Sequence, residues 1–319
     1  MGHHTLVNPH LDLHRLEFSI TYRCSAHCTH CQVEDELRRS APAAIDPALG
    51  AQIVHRAARA YPLRSLMTFG GEPLLYPEAM CAIHQAAQEE GIARRSIITN
   101  ASVPRGSAAF RALARRLAEC GVNAIYISVD AFHQACIPLE VVERNARALA
   151  DAGIEELVWN PCWVVSREHD NAWNRRTREI LDALSHLPAR EDEGNVVQPD
   201  GHARDTLAEF LPPKVPLPTG SCGDMPYTDP LDAIGSISVE PDGAITVCPE
   251  FAIGNAAQED VLAILQRYDP YQIPEARALL EGGVAALVDL AHARGIELDP
   301  AGYYSVCDLC RSLRRRMRQ

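Results

Sequence analysis

The chain has 319 residues, of which 47% are hydrophobic, and its formal net charge is −12. This length predicts one large domain and one smaller domain, and the hydrophobic content excludes wholesale disorder. Nucleic-acid binding needs a basic surface, whereas this chain is acidic, so we do not expect nucleic acid as a partner. The sequence contains no run of about 18 apolar residues, the length needed to cross a membrane, so we do not expect a membrane as a partner either.

The amino terminus lacks the basic and apolar regions of a signal peptide, which predicts a cytoplasmic protein. In that reducing compartment, the 11 cysteines favour metal ligation or catalysis over disulfides. Lys214 is the only lysine and lies among prolines, which argues against a pyridoxal phosphate Schiff base. The arginines at the carboxyl end are interpreted as a solvated helix end, and docking onto an anionic partner is the alternative.

Strands and helices are predicted to alternate through the first two thirds of the chain. Short apolar runs rich in β-branched or aromatic residues predict strands at 16–21, 64–69, 95–99, 124–130 and 157–165, with a weaker sixth at 195–199. Helical patterns between them cover 47–60, 77–90, 107–120, 139–152 and 171–185. Six such units predict an α/β fold, a partial (β/α)6 barrel, although a doubly wound sheet shares this pattern.

The last third of the chain has a different pattern. Residues 199–220 are rich in proline and glycine and are interpreted as a linker. Two alternating runs within 237–248 predict a β-hairpin, and helical patterns follow at 259–267 and 274–294. We therefore predict a domain over residues 1–205 and a small α+β domain over residues 206–319.

Three cysteines directly follow the first predicted strand, in the order Cys24-x3-Cys28-x2-Cys31. Three thiolates in eight residues could hold three irons of a [4Fe–4S] cubane and leave the fourth iron open. A structural zinc site is the alternative, with His27 or His30 as the fourth ligand.

This spacing resembles the CxxxCxxC signature of the radical S-adenosylmethionine (SAM) superfamily. The resemblance implies a [4Fe–4S] cluster whose open iron binds SAM, and reductive cleavage of SAM to a 5′-deoxyadenosyl radical that abstracts hydrogen from a substrate. It also implies an electron donor such as flavodoxin or ferredoxin. His30, which occupies the position of the family's aromatic residue, is expected near the adenine.

Gly70-Gly71-Glu72-Pro73 follows the second predicted strand and resembles the family's GGEP motif. The resemblance implies that this turn binds the amino group of SAM, with Glu72 as its carboxylate. At the ends of the next strands, polar residues are further candidates for binding SAM: Thr99, Asn100, Ser128 and Asn160.

Other polar residues at these strand ends are candidates for catalysis. Tyr126 and Asp130 share a strand face with Ser128, because side chains alternate along a strand. His133 is a candidate acid or base, and Cys162 is a candidate redox residue that could donate hydrogen to a substrate radical. For each, a hydrogen-bonded or buried structural role is the alternative.

A second cysteine group lies beyond the predicted linker and consists of Cys222, Cys248, Cys307 and Cys310. Four cysteines suit a closed site, and spacing alone leaves zinc and [4Fe–4S] open. The arrangement resembles the shortened SPASM, or Twitch, domain, although the gap after Cys222 is longer than usual. The resemblance implies one auxiliary [4Fe–4S] cluster, and therefore two clusters per chain.

The leading functional prediction is a radical SAM enzyme of oxidoreductase type that abstracts hydrogen from a natural-product precursor. Members with such domains often oxidise, crosslink or epimerise ribosomally made peptides. The alternative substrate is a small molecule, such as a sugar, aminoglycoside or nucleoside, with sulfur insertion from the auxiliary cluster as a variant. An iron–sulfur electron-transfer protein or a zinc protein is the non-enzymatic alternative.

Overall fold

The structure is a computed structural model and describes residues 8–103, 106–223 and 228–317. Residues 1–7, 318 and 319, which enter the predictions about a signal peptide and the arginine-rich end, lie outside the described residues. The strands are β1 (Leu11–Thr21), β2 (Ser65–Gly70), β3 (Arg94–Thr99), β4 (Ala124–Ser128), β5 (Glu156–Asn160), β6 (Cys162–Trp163), β7 (Arg190–Glu191), β8 (Asn195–Val196), β9 (Ile234–Val239), β10 (Ala244–Cys248) and β11 (Phe251–Asn255). The helices are α1 (Asp35–Ser40), α2 (Pro47–Ala60), α3 (Pro77–Glu89), α4 (Ser107–Glu119), α5 (Ala131–Gln134), α6 (Leu139–Asp151), α7 (Ala172–Leu184), α8 (His202–Thr206), α9 (Val261–Arg267), α10 (Pro274–Ala293) and α11 (Val306–Met317).

A nine-stranded sheet organises the fold, in the order β11-β10-β9-β1-β2-β3-β4-β5-β7. The strands from β1 to β5 and β7 are parallel, and helices connect them. This arrangement confirms the predicted α/β fold with a parallel-dominated sheet of the partial-barrel type. Since parallel strands end at one edge, the loops after β1, β2, β3, β4 and β5 lie together.

Local sequence explains where the connecting helices begin. Asp46 caps α2 by accepting a hydrogen bond from the Leu49 amide at 2.8 Å, and Pro47 occupies the first helical position. Asn171 caps α7 in the same way. Gly50 of α2 lies so close to Ile83 of α3 that a Cβ would be 2.7 Å from that side chain, so the two helices pack closely.

The fifth and sixth predicted strands differ from the structure. The run 157–165 divides at Pro161, because proline lacks the N–H that would continue the ladder. The sixth parallel strand of the main sheet is β7, whereas the predicted run 195–199 forms β8, which pairs with β6 in a separate two-stranded sheet. The prediction of a sixth barrel strand at 195–199 was therefore wrong in position.

The segment predicted as a linker is partly ordered against the cysteine loop. It contains α8, and the His202 amide donates a hydrogen bond to the Cys31 carbonyl at 2.9 Å. Gly201 has a φ of +51°, and a Cβ there would lie 2.5 Å from the same carbonyl oxygen. The interpretation of all of 199–220 as a linker was therefore wrong.

The predicted hairpin is confirmed as β9 and β10, which pair antiparallel. We did not predict that β9 also pairs with β1, in parallel, so that residues 15–18 oppose residues 236–239. The main sheet thus continues across the predicted boundary between residues 205 and 206. The division into two domains stays a prediction.

The arginines of α11 are less solvated than predicted. The Arg311 side chain is 15% exposed and is paired with Glu250 at 2.6 Å and with Asp200. Arg314 is buried, with its guanidinium carbon 3.5 Å from the centroid of the Phe251 ring. The interpretation as a solvated helix end was therefore wrong for these two residues. Within the described ranges, none of the helices is both long and apolar enough to cross a membrane.

Candidate active site

The first cysteine group occupies the loop after β1. Cys28 is buried, Cys24 and Cys31 are half-buried, and the Cys31 amide donates to the Cys28 carbonyl at 3.1 Å in a tight turn. Burial raises the pKa of the Cys24 thiol to about 11 and raises that of Cys28 further. The thiols of Cys24 and Cys28 are therefore neutral without a ligand, and a bound cationic group would stabilise the thiolates that metal ligation needs.

The spread of the sulfur atoms tests which inorganic group fits. Among the described residues, no three cysteine sulfurs lie within 4.8 Å of one another. Tetrahedral zinc with Zn–S bonds of about 2.3 Å would hold its sulfurs roughly 3.8 Å apart. A polynuclear cluster, whose ligands bind different irons, accommodates a wider spread of sulfur atoms than a single zinc ion does.

The turn after β2 packs directly against this loop. The Gly71 amide donates to the Thr21 carbonyl at 2.6 Å, and the Glu72 amide donates to the Arg23 carbonyl at 2.8 Å. Gly70 has a φ of +135°, and a Cβ on Gly71 would lie 2.1 Å from the Arg23 carbonyl oxygen. Glycine is therefore required here because the two backbones touch.

Glu72 holds this turn together from inside. Its carboxylate is fully buried and accepts hydrogen bonds from the Leu74 amide at 2.9 Å, the Thr99 hydroxyl at 2.7 Å and the Asn100 amide at 2.8 Å. Burial raises the pKa of Glu72 to about 7, against these hydrogen bonds, which lower it. Pro73, also buried, begins the single 3-10 turn that follows.

Asn100 connects the Glu72 carboxylate to the cysteine loop. Its amide nitrogen Nδ2 lies 3.5 Å from Cys24 Sγ and 3.4 Å from Ser25 Oγ. The structure thus brings Glu72, Thr99 and Asn100 together beside Cys24, as predicted from their strand-end positions. Their contacts with SAM stay predictions.

A second polar group forms where β4 ends. Asp130 is fully buried and caps α5, and its Oδ2 accepts hydrogen bonds from His133 Nδ1 at 2.8 Å and from the Cys162 amide at 3.1 Å. Burial favours the neutral acid, but the charge and hydrogen bond of His133 outweigh it and lower the pKa of Asp130. Asp130 therefore orients the His133 ring through Nδ1, and Nε2 is the ring nitrogen that does not contact this carboxylate.

His30 joins this group from the cysteine loop. Its ring stacks on Phe132 with 4.7 Å between centroids and meets the His133 ring edge-on at the same distance. Burial, followed by the charge of His133, lowers the pKa of His30 to about 4. Nitrogen atoms of His30 and His133 and an oxygen of Asp130 lie within 4.8 Å of one another.

The remaining predicted site residues differ in their positions. Ser128 and Asn160 are buried and paired at the ends of β4 and β5, close to Asp130. Cys162 is also buried, which raises its pKa well above the ordinary thiol value. Tyr126 lies apart from this group, because its hydroxyl accepts a hydrogen bond at 2.7 Å from Arg94, at the start of β3. A catalytic role for Tyr126 therefore has no support from its position.

The second cysteine group assembles from three parts of the chain. Cys248 ends β10, Cys307 and Cys310 lie on α11, and Cys222 lies in the loop before β9. Cys310 interacts electrostatically with both Cys248 and Cys222, and Cys307 with Cys248. The structure therefore brings together four cysteines that are separated by up to 88 residues, 310 minus 222.

Two residues that the sequence analysis missed contact the first loop. Arg38 of α1 donates from Nη2 to Cys31 Sγ at 2.9 Å. Tyr22, the first residue of this loop, donates its hydroxyl proton to Glu240 in the β9–β10 turn. Neither residue belongs to a recognisable motif, and only the fold brings each to its partner.

Comparison with known proteins agrees with this geometry. The sequence model of the Radical SAM superfamily matches residues 18–180, which is half of the chain. The chain therefore belongs to the radical SAM superfamily. It is a radical SAM enzyme, for which a [4Fe–4S] cluster and SAM are the family's cofactors. No curated protein matches the sequence.

Solved structures show the same fold at low sequence identity. SuiB of Streptococcus suis superposes with a TM-score of 0.53 at 15% identity, over 91% of this chain and 77% of SuiB. Native anSMEcpe with bound AdoMet gives a TM-score of 0.54 at 14% identity, over 95% of this chain and 96% of that one.

Proposed function

We propose that this chain abstracts hydrogen from a ribosomally made peptide precursor in an oxidation, crosslinking or epimerisation, and that it uses two [4Fe–4S] clusters and SAM. One observation carries the proposal. The cysteine loop, the Gly70–Gly71 turn and the Asp130–His133 pair meet at the carboxyl edge of the sheet, and a second group of four cysteines includes Cys248 at the end of β10 in the same sheet.

The residues of the chain would hold and orient these groups. Cys24, Cys28 and Cys31 would ligate the first cluster, which would supply the electron for reductive cleavage of SAM. The Gly70–Gly71 turn would face the amino group of SAM, because its backbone already contacts the loop that carries Cys24. The four cysteines of the second group would fully ligate an auxiliary cluster and leave none of its irons open.

His133 is the residue that we propose as acid or base toward the substrate. Its side chain is 16% exposed, while its partner Asp130 is fully buried. Asp130 fixes Nδ1, so a proton can be exchanged at Nε2 without a change in ring orientation. Cys162, whose amide is bonded to the same carboxylate, is the proposed hydrogen donor from a thiol.

The peptide class is supported by a relative in the fold. The structure of native anSMEcpe with bound AdoMet and the Cp18Cys peptide superposes with a TM-score of 0.53 over 95% of this chain and 96% of that one. That protein thus holds a peptide on the same scaffold. At 14% identity this likeness concerns the fold alone. A peptide substrate for this chain is therefore part of the proposal.

The first experiment measures metal content and SAM cleavage. After anaerobic reconstitution, we expect about eight irons per chain, the number in two cubanes. Cys24, Cys28 and Cys31 replaced together by Ala should leave about four irons and abolish cleavage of SAM by a reduced flavodoxin. Cys81→Ala is the matched control, because Cys81 lies on α3, is near Cys120 and Arg116, and belongs to neither group. Stoichiometric zinc that persists after reconstitution would contradict the proposal.

The second experiment identifies the substrate class. Peptide precursors encoded beside the gene are incubated with the reconstituted protein and deuterated SAM, and the peptides are analysed by mass spectrometry. We expect a change in mass of the peptide that depends on SAM and reductant. Turnover of a sugar, aminoglycoside or nucleoside, with unmodified peptides, would contradict the peptide proposal while leaving the radical SAM assignment intact.

A further inference from the structure

Arg38 is a cation placed on a cysteine sulfur of the first group. Its Nη2 donates to Cys31 Sγ at 2.9 Å, and Nη1 lies 3.4 Å from the Ala26 carbonyl oxygen. Nη1 is also 3.4 Å from His27 Nδ1. The guanidinium therefore spans the cysteine loop from Ala26 to Cys31, and these contacts fix its position over the sulfur atom.

The charge of Arg38 is not neutralised by the chain. In the described part of the chain, no carboxylate lies within 4.0 Å of Arg38, and its Nε–H is buried without an acceptor. A buried donor without a partner is unfavourable, and an anionic group in the site would supply the missing acceptor. The neighbouring arginine, Arg39, is instead exposed.

Short helix α1 places Arg38 in this position. The helix begins four residues after Cys31 and has no buried residues of its own, so its packing does not explain the orientation of Arg38. The Arg38 amide donates to the Glu34 carbonyl at 3.1 Å, which closes the helical turn. Glu34 is in turn paired with Arg315 of α11 at 2.7 Å, which leaves Arg38 to the cysteine loop.

We propose that Arg38 is a positioning residue that tunes the reduction potential of the first cluster through the sulfur of Cys31. The inference rests on the proposed cluster at Cys24, Cys28 and Cys31. Reduction adds one negative charge to the cluster, and a guanidinium bonded to a ligand sulfur stabilises that charge. Arg38 thus makes the cluster easier to reduce.

The test is a redox titration of the reconstituted protein. The reduced cluster is monitored by electron paramagnetic resonance, through the signal that responds to SAM. Arg38→Gln should lower the ratio of reduced to oxidised cluster roughly tenfold at a fixed potential, which is about 59 mV for one electron. Arg38→Lys, which keeps the charge, should remain closer to wild type. Arg39→Gln removes the same charge one residue away and should leave the potential unchanged.

Three results would overturn the inference. The first is an Arg38→Gln potential equal to that of wild type. The second is a loss of iron from the first site in this variant, which would show that Arg38 holds the loop rather than tunes the charge. The third is a tenfold loss of SAM affinity at an unchanged potential, which would make Arg38 a SAM contact. Absence of a SAM-responsive signal in the wild type would instead refute the proposed function itself.

Discussion

The contact between the Gly71 turn and the cysteine loop gives the sharpest prediction. In Gly71→Ala, the added Cβ would lie 2.1 Å from the Arg23 carbonyl oxygen and 2.6 Å from the carbonyl carbon. Because both atoms belong to the backbone, the loop must move by about 1 Å to reach an ordinary contact distance. Overpacking of this kind costs roughly 1–3 kcal/mol. The movement also breaks the hydrogen bond from the Glu72 amide to the Arg23 carbonyl, which adds about 1 kcal/mol to the cost.

We therefore expect Gly71→Ala to lower the free energy of unfolding by roughly 2–4 kcal/mol in denaturant titrations. The control is Gly106→Ala. At Gly106 φ is −64° and no described atom lies within 4 Å of an added Cβ, so only a helix-capping preference worth less than about 1 kcal/mol is lost. Since Cys24 directly follows Arg23, iron at the first site should also fall in Gly71→Ala. Equal unfolding midpoints and equal iron in the two variants would refute this reasoning.

Three further predictions concern the acid sensitivity, the second cysteine group and the proposed acid or base. Burial, with the charge of Arg95, lowers the pKa of His84 to about 3, so His84 contributes stability above its unfolded pKa of about 6.5 that is lost as pH falls. Unfolding titrations should show that, below pH 6.5, the free energy of unfolding falls less steeply with decreasing pH in His84→Gln than in wild type, by about 1.4 kcal/mol per pH unit. Parallel pH profiles of the two proteins would contradict this. Replacing Cys307 and Cys310 with Ala should remove about four irons and abolish product formation while SAM cleavage persists. Circular dichroism must first show that this variant is folded. Turnover at the wild-type rate would show that this cluster is only a structural element. His133→Asn should slow product formation by about 10²–10⁴-fold with SAM cleavage retained, as measured by mass spectrometry, and an unchanged rate would exclude His133 as acid or base.

The parts of the fold that were predictable carry strong local signals. Strands β1 to β5 and the helices between them have apolar periodicity and capping residues, and their positions agree with the predictions within a few residues. By contrast, β7 has only two residues, Arg190 and Glu191, and both are exposed, so it has no periodicity to detect. The pairing of β1 with β9 depends on packing between distant segments, which leaves no local signal in either strand.

The candidate site shows the same division. The metal-ligand spacing of the cysteines and the strand-end positions of Thr99, Asn100 and Asp130 were visible because motif and strand pattern coincide. The contact of Arg38 with Cys31 was not, since an arginine on an exposed helical turn looks like any solvated cation. The separation of Tyr126 from Asp130 was missed because β4 ends at Ser128, after which strand alternation no longer orders the side chains.

The parallel pairing of β1 with β9 has a consequence for the newly made chain. Phe18 and Val239, which oppose each other in this pair, are 221 residues apart, 239 minus 18. At a synthesis rate of about 5–20 residues per second, the outer hydrogen-bonding groups of β1 wait roughly 10–40 s for their partner strand. An unpaired strand edge is a template for association with other chains. Until β9 arrives, the first strand of the sheet therefore presents an unpaired edge at which other chains can associate.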